Sequence, residues 1–149
     1  MRRAAPQAGF SLIEVIVSLG LLAGVLLSVA GMFLLGERQV RRGRTESVAL
    51  NAAQTILEDV GSWSHTATWE RFGLSGGAET YSIDTEVNTY AQRWQPNLEQ
   101  LLFEGRAEIR LESCDGADLQ DAAAIRVIVT VFWSEAINVR RTELALVRS

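Results

Sequence analysis

Hydrophobic and polar positions divide the chain into two unlike parts. From Val15 to Leu35, 21 residues run without a charge and are rich in Leu, Val and Ile. Wound as a helix, that run is about 32 Å long, enough to cross a bilayer core of about 30 Å. Gly20, Gly24 and Gly31 lie inside it. Glycines at that density weaken a helix in water, but between membrane helices they permit close approach. Past Leu35 the pattern changes. Gly36 to Gly43 is polar and basic. From Arg44 to Val60, Ala49, Ala53, Ile56 and Val60 recur at i, i+4, i+7 and i+11, with Ala52 and Leu57 beside them. Glu46, Asn51, Glu58 and Asp59 fall mainly on the other faces, so this stretch has one side to bury. Gly61 and Ser62 supply a stop, and no proline occurs between Pro6 and Pro96. The pattern therefore predicts one interrupted helix from Phe10 to about Val60.

Trp63 to Gly77 has no clear period, and Ser75-Gly76-Gly77 reads as a loop. Thr80 to Thr89 alternates as a strand, with Tyr81, Ile83, Thr85 and Val87 on one side. Ala91 to Leu102, with Trp94 and Pro96, fits no single pattern. Glu104 to Glu112 alternates again, with Ala107, Ile109 and Leu111 on one face, and Cys114-Asp115-Gly116 is a turn. Ile125 to Trp133 is the strongest strand signal, followed by Asn138 to Val147; the short Ser134–Ile137 link makes them a hairpin. The expected fold class is α+β, a long N-terminal helix packed on an antiparallel sheet of four strands.

Composition sharpens this division. The 149 residues carry a net charge of −4 and are 48% hydrophobic, but Phe10 to Leu35 has 19 hydrophobic residues in 26, whereas the remainder to Ser149 averages 42%. The second part is thus ordinary for a globular domain. Its acidic balance argues against a general nucleic-acid coat. The single cysteine, Cys114, excludes an internal disulfide.

Three readings compete for the N-terminus. A secretory signal peptide would use Arg2 and Arg3 as its basic region and Ser28-Val29-Ala30 as a small-x-small cut site, but its apolar run would exceed the usual 7–15 residues. An unprocessed single-span anchor is the second. Neither explains Gly9-Phe10-Ser11-Leu12-Ile13-Glu14-Val15. That stretch, placed between a short basic leader and a long apolar run, resembles the processing motif of type IV pilins and of type II secretion pseudopilins. The resemblance implies a leader of residues 1–9, cut by a prepilin peptidase between Gly9 and Phe10, with Phe10 N-methylated. It implies an assembly helix over residues 10–35 and a globular domain over residues 36–149. It makes Glu14 the residue that pairs with the α-amino group of Phe10 in a neighbouring subunit. The bland reading of Glu14 is a side chain snorkelling to the interface, since it lies about 6 Å along a helix from Phe10. Partners so implied are other major and minor pilins, the prepilin peptidase and the inner membrane, with the domain outside the cytoplasm and later in a pilus or pseudopilus. No enzyme activity, cofactor, metal or direct nucleic-acid binding is expected. Arginine counting points the other way: Arg38, Arg41, Arg42 and Arg44 follow the span while only Arg2 and Arg3 precede it.

A looser likeness concerns the rest. The helix ALNAAQTILE from Ala49 to Glu58, the valine-rich strand ending in Trp133 and the last strand with Arg141, Thr142 and Leu144 look like minor pilins of the V type and the I-type minor pseudopilin. The function expected is a minor pilin that primes, caps or modifies a filament. The alternatives are a pseudopilin driving protein export and a single-span protein with an unrelated periplasmic domain.

Other chemistry is sparse. His65, the only histidine, reads as a surface residue, and Cys114 as a buried or turn residue rather than a nucleophile. Asp115, Asp118 and Asp121 do not have the spacing of a calcium loop and read as a solvated acidic turn. Trp133 is assigned to the core. Trp63 and Trp69 fit the core and an interface equally well, as anchors of the kind interfaces favour. The Arg38–Arg44 cluster fits lipid headgroups or solvent better than DNA.

Overall fold

The computed structural model describes residues 11–74 and 77–149. Helix α1 runs Leu12–Gly61, α2 His65–Phe72 and α3 Gln95–Leu101, with a tight helical turn Ala91–Trp94 ahead of α3. Four strands, β1 Thr80–Asp84, β2 Arg106–Ser113, β3 Ile125–Glu135 and β4 Asn138–Arg148, pair antiparallel in chain order. The fold is α+β, a long N-terminal helix packed on a four-stranded antiparallel sheet. The chain divides into two compact units at residues 42 and 43.

In the second unit, α1 buries Ala49, Ala53, Ile56 and Val60, the stripe its period predicts. Burying Ile56 and Val60 contributes about 1.5–3 kcal/mol each. The sheet offers a matching face. One row across it is Ile83, Ile109, Val129 and Leu144, and another is Ala107, Val131 and Thr142. Ile83, Ala107, Ile109, Leu111, Val127, Val129, Val131 and Trp133 are buried. The opposite face is ionic, with Arg106–Asp84 at 3.2 Å and Arg126–Glu112 at 3.8 Å.

Arg148, at the end of β4, fastens the sheet to the exit of α1. Its Nη1 donates to the carbonyl of Val60 at 3.3 Å and to that of Trp63, and Nη2 to the Thr68 hydroxyl at 3.4 Å. Burial lowers its pKa. The Val60 carbonyl, in the last turn of α1, accepts from the Trp63 amide at 3.3 Å as well, so Arg148 adds a second donor there. Beside α1, Trp63, Phe72, Tyr90 and Trp94 form one aromatic group, Trp63 stacked on Trp94 at 6.1 Å and edge-on to Tyr90 at 5.4 Å. Asp59 holds this group to the helix, accepting from Trp94 Nε1 at 3.3 Å and pairing with Arg93.

The structure departs from the expected elements in four places. The interruption at Gly36–Gly43 is absent, and α1 is one helix through it. The strand foreseen to Thr89 stops at Asp84, because Asp84 folds the chain over: its Oδ1 accepts from the Glu86 amide at 2.8 Å and its carbonyl from the Asn88 amide at 2.9 Å. Val87, foreseen on the buried side, is therefore exposed. The strand foreseen from Glu104 begins at Arg106, since Glu104 has φ of 52° and turns the backbone. The segment after Trp63 contains α2, capped by Ser64 Oγ, which accepts from the Ala67 amide at 3.2 Å, and closed by Gly73 at φ of 65°.

Candidate assembly site on the N-terminal helix

Glu14 stands in the first turn of α1. That turn is closed by the Ser11 carbonyl, which accepts from the Glu14 amide at 3.0 Å and the Val15 amide at 3.2 Å. A carboxylate here is favoured by the exposed N–H groups and positive end of the helix. Ser18 and Leu22 follow Glu14 at i+4 and i+8, and with Val15 and Leu19 they line a shallow groove of about 340 Å³. Glu14 is the only charge between Ser11 and Leu35.

Among the described residues, the remaining side chains of that stretch have nothing to bury against. Every residue from 11 to 35 is exposed. A Cβ placed on Gly20, Gly24 or Gly31 would meet no neighbour within 4 Å, and the Ser28 hydroxyl turns back onto the Gly24 carbonyl at 2.9 Å. A second groove, of about 590 Å³, runs along Val29, Met32, Phe33, Gly36, Glu37 and Val40. This helix is long and apolar enough to span a membrane. An apolar surface of this extent in a folded protein calls for a lipid or protein environment. Gly9 and Phe10, the expected cleavage site, lie outside the described residues.

The other candidates fall elsewhere. Among the described residues no group of His, Cys, Asp and Glu has the arrangement of a metal centre. His65 is half-buried, with Nε2 2.7 Å from the Leu119 carbonyl and its ring on Trp69 at 5.5 Å, so it ties α2 to the β2–β3 loop. Cys114 is exposed in the turn after β2. Asp115 organises that loop, accepting from the Ser113 hydroxyl at 2.6 Å and from the amides of Ala123 at 3.0 Å and Ala117 at 3.3 Å; these bonds, the serine's foremost, lower its pKa to about 2. Asp118 and Asp121 are exposed nearby. Trp133 and Trp63 are buried, which resolves Trp63 as core. Trp69 is half-buried and edge-on to Tyr81 at 5.7 Å, and its indole N–H, like that of Trp133, has no hydrogen-bond partner among the described residues. Arg38, Arg41, Arg42 and Arg44 lie exposed along α1, with Arg41 paired to Glu37 at 2.5 Å. Phe103 and Ile137, the second of them in the hairpin link the sequence predicts, are both exposed apolar residues. Their signal in the sequence is an apolar residue set in a turn close to a charge, Glu104 next to Phe103 and Glu135 two residues before Ile137. Comparison with protein families, curated proteins and solved structures finds no match to this chain.

Proposed function

We propose that this chain is a minor pilin, a structural subunit that assembles through its N-terminal helix into a type IV pilus. One observation carries the reading: Gly9-Phe10 with Glu14 at the head of an apolar helix whose whole circumference is open. A prepilin peptidase removes residues 1–9 and methylates Phe10. The mature subunit waits in the inner membrane with its domain outside the cytoplasm. On assembly the helix leaves lipid for a bundle of neighbouring helices. There the Glu14 carboxylate meets the α-amino group of a neighbour's Phe10 in a poorly solvated place. Removing one member of such a pair strands the other, at about 3–5 kcal/mol. The pair therefore sets the axial offset between subunits. Contacts of this kind are heterologous and build open helical filaments. A type II secretion pseudopilin would use the same step, and the likeness of the Ala49–Glu58 helix and the closing hairpin to the I-type pseudopilin keeps that reading second.

The test is Glu14→Ala. The variant is expected to be processed like the wild type and to remain in the membrane, but to be missing from sheared filaments. Incorporation at the wild-type level would contradict the pairing.

A further inference from the structure

Three highly exposed apolar side chains of the globular unit are gathered at one end of the sheet. Ile137, Phe103 and Val139 are 98%, 72% and 69% exposed, and they are three of the four most exposed large apolar residues after Gly43. They are neighbours. The Ser134 amide donates to the Phe103 carbonyl at 2.9 Å on one side, and Ser134 pairs with Val139 on the other. Ile137 is in the two-residue turn between β3 and β4. The patch has a mixed rim, with Glu135 and Arg140 paired at 3.3 Å and Arg141 beside them.

The position of this end is set within the domain. Arg148 and Leu146 hold the last residues of β4 to the exit of α1, where a Cβ on Gly61 would lie 2.9 Å from Leu146 Cδ2. β4 runs back from there for 11 residues, about 34 Å. The domain part of α1 runs back about 27 Å, from Gly61 to Gly43, with its buried stripe on the same sheet. The patch therefore shares an end of the domain with the point at which the chain enters it.

We infer that Phe103, Ile137 and Val139 seat the domain on the surface of the lipid bilayer before assembly. Three features select lipid as the occupant. The charge-free run ends at Leu35, only eight residues before Gly43, so the domain begins within a few residues of the span along the chain. Within those residues and just after them stand Arg38, Arg41, Arg42 and Arg44, the cations that favour anionic headgroups. The patch is small, apolar and rimmed by charge, as surfaces that enter the headgroup boundary are. The inference rests on the membrane-anchor part of the proposed function.

The opposite end of the sheet supplies the control, because Cys114 is exposed there, after β2. The full chain is reconstituted alone in phosphatidylcholine–phosphatidylglycerol vesicles and carries an environment-sensitive NBD dye, on Cys114 or on Asn138→Cys in a Cys114→Ser background. The dye at position 138 is expected to emit further to the blue and to be quenched several-fold more strongly by doxyl-labelled lipid than the dye at 114. Adding Ile137→Ser and Val139→Ser should abolish the difference, and since both side chains are exposed, folding should be kept. Equal quenching at the two positions, or a difference that survives both serines, overturns the seating. Alkaline carbonate extraction reads the span separately. A chain that stays with the vesicles while position 138 stays in water overturns the seating alone, and one that washes off overturns both. Protection of position 138 only when other pilins are added gives the patch to a neighbouring subunit, and also overturns it.

Discussion

Asp115 owes its low pKa to the hydrogen bonds of the folded loop, so it links loop stability to pH. A carboxyl whose folded pKa is below its unfolded value stabilises fully above the unfolded value, and that contribution is lost as pH falls toward the folded one. With about 2 folded and 3.8 as the ordinary value, the loop from Ser113 to Ala123 should loosen as pH drops through that window. Hydrogen exchange at the Ala117 and Ala123 amides checks this, and Asp115→Asn should remove the pH dependence. A second residue prediction concerns Ala136, which sits at φ of 57° in the β3–β4 turn. The left-handed region costs a residue with a Cβ about 1–2 kcal/mol. Part of that is recovered by glycine, whose unfolded chain is freer. Ala136→Gly should therefore stabilise by about 0.5–1 kcal/mol in denaturant unfolding. At this scale the sequence is read unevenly. Glu14 stands out because a charge heads a run that has none. Asp115 could be placed in a turn but not given its role, since its partners Ser113, Ala117 and Ala123 are chosen by the fold of the loop.

Among the elements, α3 and β2 meet at one glycine. Gly105 is buried between them, and a Cβ there would lie 2.5 Å from the Leu98 carbonyl oxygen and 2.8 Å from Leu102 Cβ. Its carbonyl also accepts from Gln95 Nε2 at 3.0 Å. The nearest obstacle is backbone, which cannot swing aside. Gly105→Ala should cost about 2–3 kcal/mol, as overpacking does, whereas a change at Gly73 would be felt through its left-handed φ instead. A loss below about half a kcal/mol in chemical unfolding would contradict the close approach. Elements that bury a face along a regular period were legible: the Ala49–Val60 stripe and the β3–β4 hairpin both follow the sequence pattern. Elements ended or begun by single side chains were not. Asp84 cut β1 short through its own hydrogen bonds, and α2 is too short for a period, leaving Ser64 and Gly73 as its only signals.

In the whole molecule two kinds of apolar surface coexist. The sheet and the second half of α1 bury theirs against each other, and the sequence predicts that core from its alternation. The first part of α1 buries none, and nothing among the described residues covers it. That surplus, with Glu14 at its head, is the physical basis of the assembly reading. Its environment is not deduced from packing, because the partner is another molecule; what the sequence offers instead is the resemblance of Gly9 to Val15 to a processing motif. The processing that this resemblance implies changes the covalent chain, so its mass can be measured. Mass spectrometry of the protein extracted from membranes should find a chain beginning at Phe10, with one methyl group on its amino nitrogen and residues 1–9 gone. A chain still beginning at Met1, or one cut after Ala30, would contradict it.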